Sequence, residues 1–180
     1  MSGTPDKTAQ VLNELERIVR SMDTERRRKF VEWLEVQNRY LQWEQGFDPK
    51  MLRRYSRGEI VLAHFGFNTG AEFGGMHFAV VIENNAKSAG SVMVIPLSSL
   101  DESETETDVN RNEVYLGTIQ GLNDKQSFAV VSQMRPISKL RVYKPRKQSD
   151  SVLTLSSAQM DKLDLKIGKR FTKLKFGSPE

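Results

Sequence analysis

Two histidines, His64 and His77, are the residues of this sequence best suited to transfer protons near neutral pH, because the ordinary pKa of imidazole is about 6.5. The sequence contains no cysteine, which excludes a thiol nucleophile, a disulfide framework and a thiolate metal site. Two histidines cannot form an imidazole cage, so we expect no metal site and no cofactor. Each histidine also has a plainer interpretation, as a residue that only packs within a strand.

Three further side chains could act near a phosphate or a nucleic-acid base. Gln133 provides an amide that donates and accepts hydrogen bonds, and Arg135 provides a planar guanidinium that matches phosphate. Glu72 could orient His77 or repel RNA that is bound in a wrong register. The alternatives are a dimer-interface or core role for Gln133 and Arg135, and simple solvation for Glu72.

The basic residues are concentrated near the C-terminus. The net charge is only +4, but residues 133–175 contain twelve lysines and arginines against three aspartates. Such a surface attracts phosphate without regard to base sequence, although solubility alone could explain part of it. We therefore expect nucleic-acid binding, with Lys139 and Arg135 holding the backbone.

The elements that carry these residues fall into two parts. Residues 5–46 predict a helical hairpin, because apolar residues recur there at helical spacing. Thr4 is the expected first cap, with Pro5 at the first helical position, and Gly46 ends the second helix. The second helix begins at Asp23 or Thr24, and a basic run, 26–29, lies in its first turn. The helix dipole disfavours cations there, so the run is either functional or a solvated face.

From residue 58 onwards the periodicity is that of strands. Short strands are predicted over residues 60–65, 78–82, 92–95, 114–116, 127–132 and 140–143. A glycine-rich loop covers 66–75, and an acidic exposed loop covers 101–108. Ser156 and Gln159 form a capping box for a C-terminal helix whose apolar residues extend to Leu174. Many short strands without alternating helices favour a compact, mostly antiparallel barrel.

No apolar run approaches the roughly 18–20 residues needed to span a bilayer. The N-terminal residues also lack the basic and then apolar pattern of a signal peptide. The sequence therefore predicts a cytoplasmic protein with no membrane association.

Three segments, in order, resemble motifs of the MazF/PemK toxin family. R-G-E-I-V at 57–61 followed by G-A-E-F-G-G-M-H-F at 70–78 is similar to R-G-D/E-hydrophobic followed by G-x-E-x-G-G-x-R-P. V-I-P-L-S-S at 94–99 resembles the family strand that ends in a reactive Thr or Ser. S-Q-M-R-P-I-S-K-L-R at 132–141 is similar to Q-x-R-T-I-D-K-x-R. The resemblance covers about residues 57–172.

The resemblance implies a barrel like an SH3 fold, a homodimer and neutralisation by a cognate antitoxin. It also implies metal-independent cleavage of single-stranded RNA, such as mRNA, to 2′,3′-cyclic phosphate and 5′-hydroxyl ends. The family's G-G-x-R arginine and strand-end hydroxyl have acid–base and phosphate-stabilising roles, and they correspond here to His77 and Ser98. The residues expected to contact RNA are Glu72, Gln133, Arg135, Lys139 and His64, the last of these being a second candidate acid or base.

The sequence departs from the family pattern at His77, where the family has arginine, and at Phe78, where it usually has proline. Histidine transfers protons near neutrality but lacks the permanent charge of arginine. A toxin-like endoribonuclease is thus one hypothesis, and a non-catalytic module that binds nucleic acid or protein through a decayed site is the other. The predicted organisation is a helical hairpin over 1–50, a barrel over 51–175 and a short tail over 176–180.

Overall fold

The computed structural model describes residues 6–123 and 125–173. The chain divides into two compact units, Met1–Gln42 and Trp43–Glu180. The sequence placed this boundary at residue 50, so the compact unit that holds the barrel begins eight residues earlier than the predicted barrel domain. Within the described ranges, no helix is long and apolar enough to cross a membrane.

The first unit is built from two helices, α1 (Lys7–Ser21) and α2 (Thr24–Glu44). The predicted cap at Thr4 and Pro5 lies outside the described residues. The carboxylate of Asp6 caps α1 by accepting a hydrogen bond from the Thr8 amide at 3.1 Å. The carboxylate of Asp23 accepts from the Arg26 amide at 2.9 Å, which caps α2 in the same way.

The basic run at the start of α2 makes contacts inside this first unit. Arg28 pairs with the carboxylates of Glu25 and Glu32 at 2.9 and 2.7 Å. Arg27 donates hydrogen bonds to backbone carbonyls at the C-terminal end of α1, where such groups lack helical partners. These carbonyls belong to Val19, Arg20 and Met22. Arg27 and Arg28 therefore have a structural explanation in spite of the unfavourable helix dipole.

The second unit is a curved antiparallel sheet with one long helix. The strands are β1 (Glu59–Gly66), β2 (Gly75–Val81), β3 (Ser91–Ser99), β4 (Val114–Thr118), β5 (Gln126–Ala129), β6 (Arg135–Ser138), β7 (Val142–Lys144) and β8 (Leu153–Thr154), and the helix is α3 (Ser157–Phe171). The strand order is β4-β5-β3-β2-β1-β7, with β6 paired to β3 and β8 paired to β1. Four short 3₁₀ helices, Pro49–Met51, Glu106–Asp108, Val131–Gln133 and Lys139–Arg141, connect these elements. The predicted fold class is confirmed.

Strand β3 organises the sheet because three other strands pair with it. Its first half pairs with β6, its middle with β2 and its end with β5. Side chains alternate between the two faces of a strand, so each face of the sheet carries its own apolar cluster. One cluster packs beneath α3 through Leu163, and the other is formed by residues such as Val61, Ala79 and Val94.

The structure differs from the predicted elements in the shortest segments. β2 begins at Gly75, inside the predicted glycine-rich loop, and the predicted strand over 127–132 ends at Ala129 before a 3₁₀ turn. β6 and β8 were not predicted, because four and two residues are too few to show an alternating pattern. The capping box of Ser156 and Gln159 starts α3 as expected, while Leu174 lies outside the described residues.

Candidate active site

The pairing of β2, β3 and β6 sets three predicted site residues on one face of the sheet. His77 lies two residues before Ala79, which pairs with Pro96. Ser98 lies two residues after Pro96 on β3, so alternation along the two strands puts His77 and Ser98 on the face that carries Ala79 and Pro96. Directly paired residues share a face, and Val94, which is on this face, pairs with Arg135. We call this surface, defined by His77, Ser98 and Arg135, the His77 face.

Two glycines shape the start of β2. A Cβ at Gly74 would lie 2.8 Å from the carbonyl oxygen of Gly66, closer than real Cβ atoms approach backbone. Gly75 has a φ of 80°, in the left-handed region that favours glycine. The G-G pair of the sequence motif therefore lets the loop turn tightly against the end of β1 before His77 enters the strand.

The side chain of Gln133 holds the glycine-rich loop in place. Its Oε1 atom accepts a hydrogen bond from the Phe73 amide at 3.1 Å and another from Arg135 Nη2 at 2.6 Å. Its Nε2 atom donates to the carbonyl of Ala71 at 3.3 Å. The amide thus uses both its donor and its acceptor to join the loop before β2 to the start of β6.

Phe73 links this fastened loop to the imidazole. The Phe73 ring lies 4.4 Å from the His77 ring and 5.7 Å from the Phe65 ring, measured between centroids. Its carbonyl accepts from Asn68 Nδ2 at 2.7 Å. Neither Phe73 nor Asn68 belongs to the site residues predicted from the sequence. Phe73 is one of two aromatic residues, with Phe67, in the glycine-rich loop, so its type alone did not distinguish it.

The environment of His77 favours the neutral imidazole. Half-burial lowers its pKa from the ordinary value of 6.5, and a hydrogen bond with the Gly74 backbone opposes that shift without cancelling it. Neutral imidazole can accept a proton at neutral pH. His77 is therefore suited to act as a base.

Ser98 is half-buried on β3 opposite Phe128 of β5. No described residue forms a hydrogen bond with its hydroxyl. The guanidinium carbon of Arg135 lies 5.8 Å from the centroid of the Phe65 ring. Its Nε atom donates a hydrogen bond to the backbone carbonyl of Gln133, and its Nη2 atom donates to Gln133 Oε1. The hydroxyl and the other N–H groups of the guanidinium are the donors of this face that remain for an anion.

His64 does not join this group. It pairs with Met76, whose side chain points to the opposite face from His77, so the two histidines lie on different faces of β1 and β2. Its Nδ1 accepts from the Gly66 amide at 3.2 Å. Burial and the nearby charge of Arg141 lower the pKa of His64. Within residues 6–123 and 125–173, no three His, Cys, Asp or Glu side chains are grouped as a metal site.

The prediction that Lys139 contacts RNA needs correction. Its side chain is fully buried, and Nζ donates to the carbonyls of Ala86 and Lys87 at 2.9 and 3.3 Å. The ammonium also lies 5.8 Å above the Tyr55 ring. A lysine in this position stabilises the turn between β2 and β3 and cannot reach a phosphate.

Glu72, by contrast, is exposed in the loop beside Phe73.

The hydrogen bonds of Gln133 lead to a direct prediction. The substitution Gln133→Ala should lower the free energy of unfolding by about 1–3 kcal/mol, because it leaves the Phe73 amide and the Ala71 carbonyl without partners. Amide exchange at Phe73 should rise on the order of tenfold or more. The control is Gln126→Ala, which removes an exposed glutamine bonded only to Tyr115. Unchanged exchange at Phe73 would contradict the assigned role of Gln133.

Comparison with known proteins agrees with the motifs. The family described as PemK-like, MazF-like toxin of type II toxin-antitoxin system matches residues 56–171. Among solved structures, the chain is similar to MazF from Deinococcus radiodurans, at 18% identity over 65% of this chain and 96% of that one, with a TM-score of 0.46. It is also similar to a mycobacterial endoribonuclease in complex with its cognate antitoxin, at 14% identity over 64% and 90% of the two chains, with a TM-score of 0.42.

Comparison with curated protein sequences found no match. The family match confirms the predicted resemblance: this chain belongs to the PemK-like, MazF-like toxins of type II toxin–antitoxin systems.

Proposed function

We propose that this protein is a cytoplasmic endoribonuclease toxin that cleaves single-stranded RNA, such as mRNA, without a metal ion. The observation that supports the proposal is that strand alternation puts His77, Ser98 and Arg135 on one face of the sheet in a chain of this toxin family. A base, a hydroxyl donor and a guanidinium are the groups that phosphodiester cleavage by an internal nucleophile requires. A type II toxin also implies a cognate antitoxin as partner, and we propose a homodimer as its assembly.

The proposed reaction uses the 2′-hydroxyl of the substrate as nucleophile. His77 takes the proton from this hydroxyl as the oxygen forms a bond to the adjacent phosphorus. The bond from phosphorus to the 5′-oxygen then breaks, and a proton donated to that oxygen gives a 5′-hydroxyl end and a 2′,3′-cyclic phosphate. Protonated His77 can supply this proton, which returns the imidazole to its neutral form.

Charge develops on the non-bridging phosphate oxygens during this attack. Ser98 is assigned as a hydrogen-bond donor to one of these oxygens, because its hydroxyl has no protein partner among the described residues. Arg135 supplies the permanent positive charge that His77 lacks relative to the family's arginine. Gln133 acts as a positioning residue for the loop, and Glu72 lies at the exposed edge where RNA would enter. His64 is left out of the reaction because it lies on the other face.

The alternative is a binding module without catalysis. It is favoured by the histidine at the position of the family's arginine and by the engagement of Arg135 with Gln133 inside the protein. Such a module would bind RNA in stoichiometric amounts and leave it intact. The two functions therefore differ in the fate of the RNA.

Purified protein incubated with single-stranded RNA in excess EDTA should yield discrete fragments with 2′,3′-cyclic phosphate and 5′-hydroxyl ends. End-group analysis by mass spectrometry is the measurement. A preparation of His77→Ala purified in the same way controls for contaminating ribonucleases. RNA that is bound but stays intact would support the binding module instead.

Replacing Ser98 by alanine removes the hydroxyl donor and should slow cleavage on the order of 10²-fold, while the affinity for RNA changes little. Single-turnover rates and binding to an RNA with 2′-O-methyl groups separate the two effects. Ser99→Ala is the matched control, since Ser99 is the next residue of β3 and its side chain points to the other face. A Ser98→Ala protein that cleaves at the wild-type rate would remove Ser98 from the mechanism.

His77→Ala should abolish cleavage, and His77→Arg should retain part of it with a different pH dependence. Burial lowers the pKa of His77 below 6.5, so the base is protonated and inactive only at acidic pH. The wild-type rate should rise with pH through this lowered pKa and level off near neutrality. Arginine does not titrate in this range, so the rise should be missing in His77→Arg. Full activity of His77→Ala would show that another group is the base.

A further inference from the structure

A second cationic site lies at the opposite ends of β2 and β3 from His77 and Ser98. Lys87 is in the turn that joins the end of β2 to the start of β3, whereas His77 and Ser98 lie at the other ends of these strands. The four residue steps from Val81 back to His77 correspond to about 13 Å along the strand. Around this turn is a pocket of about 420 Å³.

Four cationic side chains line this pocket, which we call the Arg53 pocket. They come from three separate segments of the second unit: Arg53 precedes β1, Lys87 lies in the β2–β3 turn, and Arg146 and Lys147 follow β7. Leu52 and Gln148 also line it. The backbone amides of Arg146 and Lys147 donate to the carboxylate of Asp150 at 2.7 and 2.9 Å, which fixes this third segment.

The guanidinium of Arg53 is buried without enough acceptors. Arg53 is only 8% exposed, and its Nη2 atom pairs with Glu59 Oε1 at 3.0 Å. Its Nε and Nη1 atoms have no hydrogen-bond partner among the described residues, and neither does Glu59 Oε2. These three atoms are themselves buried, so Arg53 contributes positive charge to the pocket rather than exposed hydrogen-bond donors.

We propose that the Arg53 pocket is a second anion site that binds a phosphate group, separate from the site of cleavage. The four cations are opposed locally by the carboxylates of Glu59 and Asp150, so two positive charges remain uncompensated. A phosphate carries one or two negative charges, which match this excess, and its oxygens can accept hydrogen bonds from the exposed ammonium groups of Lys87 and Lys147. The pocket volume is far larger than a simple halide ion requires and accommodates a phosphate with the group attached to it.

The proposal does not depend on cleavage, and it can be tested on the full-length protein by NMR. Inorganic phosphate is titrated into ¹⁵N-labelled protein at constant ionic strength, and a short single-stranded RNA with 2′-O-methyl groups is titrated separately. Saturable shifts should centre on the amides of residues 51–53, 87 and 146–148. Shifts with inorganic phosphate identify a site for a free phosphate group, whereas shifts with RNA alone identify a site for a backbone phosphate.

The variant Lys87→Gln with Lys147→Gln should weaken this binding on the order of tenfold. Both lysines are exposed, so the fold should persist. The matched control, Lys162→Gln with Lys169→Gln, removes the same charge from exposed positions of α3 and should change the affinity less than about twofold. Equal weakening of binding by both double variants would show that the phosphate responds only to general surface charge, and it would overturn the proposal. Shifts confined to residues 72–78 and 133–135 would overturn it as well.

Discussion

The hydrogen bonds of the Gln133 side chain are the constraint on which the candidate site depends. One amide group joins the loop at Ala71 and Phe73 to Arg135 at the start of β6. Phe73 then packs against His77 at a centroid distance of 4.4 Å. The imidazole is therefore positioned by a chain of contacts that begins in the 3₁₀ helix before β6. Because these contacts already exist in the free protein, we expect the imidazole to have its final position before a substrate binds.

The sheet separates this site from other charged groups by simple geometry. Alternation along the strands puts His77 on one face and His64 on the other, so the two histidines have different surroundings. The length of the β2–β3 hairpin separates His77 from the buried Lys139 and from the Arg53 pocket. The positive charge of the C-terminal part is thus divided between residues that stabilise the fold and residues that remain available for an anion.

The sequence indicated the fold because the relevant signals are local. Alternation identified β1, an apolar run identified β2 and the capping box identified α3. Ordered motifs supplied the candidate site residues His77, Ser98, Gln133 and Arg135, which remain predictions. The burial of Lys139 could not be foreseen, since it depends on carbonyls more than fifty residues away in the turn at 86–87. The same holds for the partnership of Phe73 with Gln133, which are sixty residues apart. A short strand such as β6 exists only because β3 offers it a partner.

The most direct measurement is a crystal structure of the protein with a single-stranded RNA that carries a 2′-O-methyl group at the cleaved nucleotide. We expect the phosphate next to this nucleotide to lie on the His77 face, with Ser98 Oγ within about 2.6–3.2 Å of a non-bridging oxygen. A ring nitrogen of His77 should face the blocked 2′-oxygen, and Arg135 should lie beside the phosphate. A phosphate bound on the face of His64, with the His77 face empty, would contradict the proposed site.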